Sequence, residues 1–323
     1  MDIEIHPIQK ISLMRARVYK STGSWYTVKT VEGDIYTARI KGIFKIDGIT
    51  STNPIAVGDW VNIDLEEGGE EGGMMITGIG ERNNYINRQS PSNKYQHHII
   101  ASNLDQSLLI ATLKDPKTSQ GFIDRFLVAG ESYHIPSVII FNKGDIYRTK
   151  EMDLFKERKE MYEAAGYKVI LMSLEKKTGL EEVEEVLRNK TSLLSGHSGV
   201  GKSTFINAVV PGTELKTQGV SGWSGKGIHT TTFAEMYDLP LLNAHIIDTP
   251  GIREFGLVDI SRQELSHYFP EMRARLNDCQ FNNCLHINEP GCAIKKALEE
   301  GKLSLDRYVS YGMMLNSIEE KSY

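Results

Sequence analysis

Hydrophobic and polar positions alternate in short runs along the first part of the chain, which predicts β-strands rather than helices. Five such runs lie within residues 12–90, separated by glycine-rich or polar turns, at 13–19, 24–29, 35–39, 59–64 and 74–80. Five short strands in about eighty residues fit a small closed barrel, and the oligonucleotide-binding (OB) barrel is the commonest of that size. The pattern leaves open an SH3-like barrel or a protein-interaction module.

A different rhythm begins near residue 95, where apolar runs of strand length alternate with amphipathic segments. The runs predict strands at 108–113, 137–141, 168–172 and 191–195, with helices around 123–127, at 152–165 and after residue 179. This alternation is typical of a parallel, doubly wound α/β sheet, which binds ligands at the carboxyl ends of its strands. Beyond residue 256 the pattern turns helical, at 262–267, 294–299 and 304–318. We therefore expect three domains, at 1–90, 91–255 and 256–323.

A phosphate-binding loop follows the predicted strand 191–195 and opens a helix. The spacing Gly-x-x-x-x-Gly-Lys-Ser lets consecutive backbone N–H groups point into a nest that holds phosphates, and the following helix adds its positive end. Lys202 is expected to reach the β and γ phosphates, and the Ser203 hydroxyl is expected to bind Mg²⁺. The residues predicted to bind nucleotide here are Gly196, His197, Ser198, Gly199, Val200, Gly201, Lys202, Ser203 and Thr204.

The tetrad Asp248-Thr249-Pro250-Gly251 ends a predicted strand at 244–247, about fifty residues after the phosphate loop. At this distance an Asp holds Mg²⁺ through water, and the N–H of Gly251 senses the γ phosphate. The glycine-rich segment 219–232 lies between the two motifs and has the composition of a nucleotide-sensing switch, in which Thr231 is expected to close onto Mg²⁺. Ile252 occupies the position of a water-aligning Gln, so His229 or a group from a partner is expected to orient the attacking water.

The tetrad Asn142-Lys143-Gly144-Asp145 supplies the choice of base, although it comes about fifty residues before the phosphate loop. A carboxylate at Asp145 accepts hydrogen bonds from N1–H and the 2-amino group of guanine, whereas adenine would leave that charge unpaired. We therefore expect a preference for GTP over ATP. Asn142 is expected to tie this turn to the phosphate loop, and the Lys143 stem is expected to cover the base. Gly144 is predicted to bind nucleotide with the rest of the tetrad, and Ser173 to hold guanine through its backbone.

All three cysteines lie within a short stretch near the C-terminus, together with one histidine. The set Cys279, Cys284, His286 and Cys292 offers three thiolates and an imidazole, which is a closed four-coordinate donor set for structural Zn²⁺. We expect this region to need the metal in order to fold.

Composition excludes a membrane-spanning protein but leaves a basic face on the first domain open. The longest apolar runs have the length of strands and are far too short to cross a membrane, and a net charge of −5 gives no overall attraction to nucleic acid. The first residues, Met-Asp-Ile-Glu, lack the features of a secretion signal. We therefore expect a cytoplasmic protein without a membrane partner. We also expect a monomer.

The order of the motifs is the most specific signal: base tetrad, then phosphate loop, then Asp-Thr-Pro-Gly, with a barrel before them and a Cys₃His cluster after. In this order the chain resembles the RsgA/YjeQ family of circularly permuted GTPases. Further resemblance lies in four segments: Gly58-Asp59-x-Val61, Ile123-Asp124-Arg125, Gly227-x-His229-Thr230-Thr231-Thr232 and Glu289-Pro290-Gly291-Cys292.

The resemblance implies a GTPase that assists maturation of the small ribosomal subunit and is stimulated by that subunit. It also implies that the OB-fold and the zinc domain contact ribosomal RNA, and that the protein leaves after hydrolysis. Two alternatives remain open. One is an RNA-binding assembly or anti-association factor for which GTP mainly sets affinity, and the other is a permuted GTPase that acts on the large subunit.

Overall fold

The computed structural model describes residues 14–40, 54–65, 73–89, 97–213, 215, 234–249 and 260–318. The first strands in it close into a barrel. They are β1 (Met14–Ser21), β2 (Tyr26–Thr30), β3 (Ile35–Ile40), β4 (Trp60–Leu65) and β5 (Met74–Ile79). Because β1 pairs with both β2 and β4, and β3 pairs with β5, the order β1-β2-β3-β5-β4 returns to its start. The predicted five-stranded barrel is confirmed.

A hairpin connects the barrel to the rest of the molecule. Its strands β6 (Tyr85–Gln89) and β7 (His97–Ser102) are antiparallel, and they lie on either side of residue 90, where we expected a domain boundary. The barrel end of the hairpin is held by Asp59, which is buried and accepts hydrogen bonds from Arg82 and from Ser102 Oγ. The motif Gly58-Asp59 therefore joins the barrel to the hairpin.

The central layer is a sheet of six neighbouring strands in the order β10-β9-β8-β11-β13-β12. All pair in parallel except β12, which is antiparallel to β13. The bounds are β8 (Gln106–Ala111), β9 (Ser137–Phe141), β10 (Lys168–Leu171), β11 (Thr191–Ser195), β12 (Glu235–Leu239) and β13 (Ala244–Asp248). The sequence patterns predicted the parallel strands but not the edge strand β12.

Helices cover both faces of this sheet, as a doubly wound fold requires. They are α1 (Gln120–Ser132), α2 (Thr149–Ala164), α3 (Leu180–Leu187) and α4 (Lys202–Val209). Successive side chains of β8 point to opposite faces: Leu109 packs with α1 and α2, whereas Leu108 and Ile110 pack with α3 and α4. Both faces are therefore apolar, which explains the nearly continuous hydrophobic run of this strand.

The C-terminal part is helical, with α5 (Pro270–Arg273), α6 (Ala293–Glu299) and α7 (Leu305–Ser317). The predicted helices at 294–299 and 304–318 are confirmed to within one residue at each end. The predicted helix at 262–267 is wrong, because a 3₁₀ turn at Leu265–Tyr268 stands there instead. The turn ends before Pro270, which disfavours helical geometry at Phe269 and instead begins α5.

A buried arginine joins this C-terminal part to the central layer. Arg307 of α7 is 1% exposed, and its Nη1 donates to Asp124 Oδ1 of α1 at 2.7 Å. Its Nε and Nη2 donate to the two carboxylate oxygens of Glu271 in α5, at 2.7 and 3.2 Å. The Tyr162 hydroxyl of α2 donates to the same Asp124 oxygen, and the Phe269 ring lies 4.6 Å from the guanidinium. The segment Ile123-Asp124-Arg125 therefore carries an anchor for α7.

The barrel also contacts the edge of the central sheet. Its strand β1 pairs with β12 at Lys20 and Glu235, whose side chains form a salt bridge of 3.1 Å. Asp238 of β12 accepts hydrogen bonds from the Tyr19 hydroxyl and from Lys29 Nζ, both at 2.6 Å. None of the helices among the described residues is long and apolar enough to cross a membrane.

Candidate nucleotide site and metal centre

The phosphate loop connects β11 to α4, and two of its glycines occupy positions that no other residue could take without a clash. Gly196 has a φ of +148°, and a Cβ there would lie 2.4 Å from the carbonyl oxygen of Ile110. Gly201 has a φ of +104°, and a Cβ there would lie 2.5 Å from Asn142 Nδ2. These close approaches bring the loop against the ends of the neighbouring strands, with the amino end of α4 directed at the loop.

Two ionisable side chains at this loop interact electrostatically. Lys202 Nζ donates to the carbonyl oxygens of Gly196 and His197, at 2.6 and 3.0 Å. Asp248, at the end of β13, is 5% exposed, and burial raises the pKa of its carboxyl to about 6, against the lowering effect of Lys202. Burial also lowers the pKa of Lys202, while Asp248 raises it. Both groups are thus held partly desolvated, a state in which a phosphate and a metal ion would stabilise them.

The residues around Asp248 fit a magnesium ion. Asp248 Oδ1 is buried and has no hydrogen-bond partner among the described residues, so an acceptor oxygen is available to a hard cation or its water ligands. Ser203 is the second residue of α4 and offers a hydroxyl oxygen on the same loop. Carboxylate and hydroxyl oxygens, completed by water and phosphate, are the ligands that Mg²⁺ prefers.

The base tetrad lies at the end of β9, next to the phosphate loop. Asn142 Nδ2 donates to the Val200 carbonyl oxygen at 2.8 Å, although the two residues are 58 positions apart. Asp145 accepts a hydrogen bond from Ser173 Oγ at the end of β10, and the backbone N–H of Gly144 donates to the Met172 carbonyl at 3.0 Å. The structure therefore brings together two motifs that the sequence separates.

A segment for which the sequence predicted no functional role flanks both motifs. Residues 112–119 connect β8 to α1, and within them the carbonyl of Asp115 accepts a hydrogen bond from Lys143 Nζ. Pro116 lies beside the phosphate loop, 3.5 Å from where a Cβ at Gly199 would stand. The Tyr147 hydroxyl bonds this segment to the base tetrad, since it accepts from the Leu113 N–H and donates to the Asn142 carbonyl oxygen. No motif marked these residues, because each acts through a neighbour that is distant in sequence.

Part of the predicted catalytic set falls outside the described residues. His229, Thr231 and Gly251 belong to segments 216–233 and 250–259, so their roles stay predictions. The described members lie together at the carboxyl ends of the strands, and they are the base tetrad with Ser173, the phosphate loop with Lys202 and Ser203, and Asp248.

The four predicted zinc ligands meet in the C-terminal part. One ligand atom from each of Cys279, Cys284, His286 and Cys292 lies within 4.8 Å of all the others. His286 Nδ1 lies 3.7 Å from Cys279 Sγ and 3.4 Å from Cys292 Sγ. Burial lowers the pKa of His286, which favours the neutral ring that metals bind. Three sulfur atoms and one imidazole nitrogen around a common centre fit tetrahedral Zn²⁺.

The surroundings of this cluster hold its backbone in place. The Glu289 carboxylate accepts hydrogen bonds from the N–H groups of Leu285 and Ile287, at 2.8 and 2.9 Å. From α7, the Tyr308 and Tyr311 hydroxyls donate to the carbonyls of His286 and Leu285, at 2.6 and 2.9 Å. The cluster is therefore anchored to α7, the helix that also carries Arg307.

Together, the phosphate loop, the buried aspartate and the guanine-type base tetrad on a doubly wound sheet define a P-loop GTPase with its motifs in circularly permuted order. The chain matches the family model for the RsgA GTPase over residues 79–258 and that for the RsgA N-terminal domain over residues 16–73. The chain belongs to the RsgA GTPase family, as the motifs predicted.

Relatives resemble the chain along nearly its whole length. The small ribosomal subunit biogenesis GTPase RsgA of Christiangramia forsetii is 52% identical over 310 residues, which cover 96% of this chain and 98% of that protein. The protein of the same name from Flavobacterium psychrophilum is 50% identical over 307 residues, covering 95% of this chain and 94% of its own.

Two solved structures share the fold. The crystal structure of YjeQ from Thermotoga maritima matches with a TM-score of 0.76 and 30% identity, over 96% of this chain and 99% of that one. The structure of YloQ, described as a circularly permuted GTPase, matches with a TM-score of 0.72 and 28% identity over the full length of both chains. The predicted permuted GTPase fold is confirmed.

Proposed function

We propose that this protein is a GTPase that binds the small ribosomal subunit, assists its late maturation, and hydrolyses GTP to GDP and phosphate when the subunit stimulates it. The observation that carries the proposal is the 52% identity, over 96% of the chain, to a protein named for small ribosomal subunit biogenesis. This function implies a cytoplasmic protein that acts as a monomer on its target.

Within this function we assign guanine recognition to Asn142, Lys143, Gly144, Asp145 and Ser173. Asp145 would accept from the base, and the Ser173 hydroxyl, bonded to Asp145, would keep its carboxylate directed toward the base. A carboxylate held in this way rejects adenine, which offers no donors at the matching positions. The hydrogen bond from Asn142 to Val200 would set the distance between base and phosphates.

We assign phosphate binding to residues 196–204, with Lys202 and Ser203 as the residues that face the β and γ phosphates. In the structure Lys202 Nζ bonds to two carbonyl oxygens of the loop itself, so its charge is already directed at the mouth of the nest. Transfer of these bonds to phosphate oxygens would place a cation where charge develops during phosphoryl transfer.

We assign the magnesium site to Ser203 and Asp248, with Thr231 as the predicted third residue. When bound, the ion neutralises charge on the β and γ phosphate oxygens. Asp248 would orient it through water, Gly251 would respond to the γ phosphate, and His229 would align the attacking water unless the ribosomal subunit supplies that group.

We assign a structural zinc ion to Cys279, Cys284, His286 and Cys292. A closed set of four protein ligands leaves no position for catalytic water, so the metal would serve folding. The barrel and the zinc-containing part would then contact ribosomal RNA on two sides of the GTPase domain.

Phosphate release by the full-length, zinc-loaded protein tests the proposal. We expect slow turnover alone, strong stimulation by purified small subunits, and none by large subunits. Unchanged turnover together with nucleotide-dependent subunit binding would instead favour an RNA-binding factor whose affinity GTP sets. Stimulation by large subunits alone would overturn the assignment of the partner.

A further inference from the structure

We infer that Tyr147 is a positioning residue for guanine recognition, because its hydroxyl fixes the point at which the base tetrad leaves the sheet. The inference rests on the proposed function, since it concerns the same nucleotide site. Tyr147 lies two residues after Asp145, beyond the 3₁₀ turn Gly144–Ile146. No motif of the sequence includes it.

One hydroxyl joins the ends of two neighbouring strands. The Tyr147 hydroxyl donates to the carbonyl oxygen of Asn142 at 2.7 Å, just past the end of β9. The Tyr147 hydroxyl oxygen also accepts a hydrogen bond, at 2.9 Å, from the backbone N–H of Leu113, just past the end of β8. The turn that carries Asp145 is therefore closed on itself and bonded to the segment that flanks the phosphate loop.

Both partners of this hydroxyl are poorly placed to find water instead. Asn142 is 2% exposed and Leu113 is 7% exposed. Burial raises the pKa of Tyr147 to about 12, so the hydroxyl keeps its proton and can donate and accept at the same time. A phenylalanine in its place would leave one carbonyl and one N–H without a partner, and such groups are costly when buried.

The carbonyl that Tyr147 holds is the one that controls the direction of the tetrad. It precedes Lys143, whose φ of +64° turns the chain sharply away from the strand. Asn142 is thus held at three points: its N–H donates to the Ala111 carbonyl at 2.8 Å, its carbonyl accepts from Tyr147, and its side-chain amide donates to Val200 of the phosphate loop. Because base and phosphates belong to one covalently linked ligand that the phosphate loop holds at its other end, an error in the direction of this turn would move Asp145 away from guanine while the phosphates remain bound.

The experiment compares Tyr147→Phe with the wild type in calorimetric titrations of the full-length protein with GDP, IDP and ADP. IDP lacks only the 2-amino group that Asp145 is assigned to recognise. We expect Tyr147→Phe to weaken GDP binding by about tenfold, the loss typical of a buried hydrogen-bonding group left without its partner. IDP binding should weaken less, so the ratio of GDP to IDP affinity falls. In GTP turnover, KM should rise while kcat at saturation stays unchanged.

The matched control is Tyr167→Phe, which removes a hydroxyl bonded to Glu131 at 3.3 Å in the same domain, away from both nucleotide loops. It should leave both affinities and their ratio as in the wild type. The ratio of affinities does not depend on the folded fraction, so partial unfolding of Tyr147→Phe does not obscure the result. An unchanged GDP to IDP ratio in Tyr147→Phe would overturn the inference. A wild type that binds ADP as tightly as GDP would instead overturn the proposed function.

Discussion

Replacement of Arg307 by methionine is expected to loosen the C-terminal part from the GTPase domain. The change leaves two carboxylates without their cation: Asp124, whose side chain is 0% exposed, and Glu271, whose side chain is 11% exposed. Although burial lowers the pKa of the guanidinium, both carboxylates raise it above its ordinary value, so the arginine is charged and the pair is ionic. Loss of one partner of a buried ion pair costs about 3–5 kcal/mol.

Native-state hydrogen exchange measures the resulting loss of opening free energy in α7. Peptides from α7 should exchange at least about a hundredfold faster in Arg307→Met, because 1.4 kcal/mol of opening free energy corresponds to about a tenfold change. The control is Arg273→Met, which removes a half-exposed arginine that bonds Glu131 at 2.9 Å. A surface pair of this kind contributes about 1 kcal/mol or less, so exchange should rise by less than about tenfold.

A second substitution separates charge from packing. In Arg307→Met with Asp124→Asn, one of the two stranded charges is absent, so part of the lost protection should return. If exchange in α7 of Arg307→Met stays within about fivefold of the wild type, the buried ion pair is not what holds the two parts together, and the reasoning from desolvation fails.

Three further outcomes are expected. Lys202→Ala should reduce GTP turnover at least about a hundredfold in phosphate-release assays, whereas Lys150→Ala, at an exposed lysine of α2, should not; normal turnover in Lys202→Ala would contradict the assignment of the loop. Cys284→Ala, or chelation of zinc from the wild type, should abolish protection from hydrogen exchange across 279–299 and leave GDP affinity unchanged. Full protection in metal-free protein would exclude a folding role for the metal. Hydrogen bonds from His245, Lys29 and Tyr19 lower the pKa of Asp238. This carboxylate therefore stabilises the fold above its unfolded pKa of about 3.9, and the contribution is lost progressively as the pH falls from there through the lower pKa of the folded state. In urea unfolding, Asp238→Asn should therefore cost roughly 1 kcal/mol near pH 7 and less near pH 3, and a cost that does not vary with pH would count against the ionic contacts.

The nucleotide and zinc motifs could be predicted because the residues of each motif lie close together in the sequence. A phosphate nest needs glycines at fixed spacing, and a zinc site needs a local excess of cysteine. Tyr147 and Arg307 carry no such mark, since each has a defining partner that is distant in sequence: Leu113 is 34 positions from Tyr147, and Asp124 is 183 positions from Arg307. An arginine in an amphipathic helix is usually solvated, and only the packing of α7 against α1 shows that this one is buried.

The missed strand β12 has a related explanation. Its five residues, Glu-Met-Tyr-Asp-Leu, include two acids, and only Met236 and Leu239 are fully buried. Such a short, half-polar run gives a weak periodic signal. Its pairing is decided by β13 on one side and the barrel on the other, and neither neighbour can be read from the run itself.

The position of β12 has a consequence for expressing the GTPase domain without the barrel. As the outermost strand of the central sheet, β12 would offer unpaired backbone groups to any passing strand if nothing lay beside it. In this protein β1 lies there, and Tyr19, Lys20 and Lys29 bond to the acids that line it. The barrel thus covers part of this edge. A GTPase domain expressed without the barrel would expose β12 and would be prone to self-association through it.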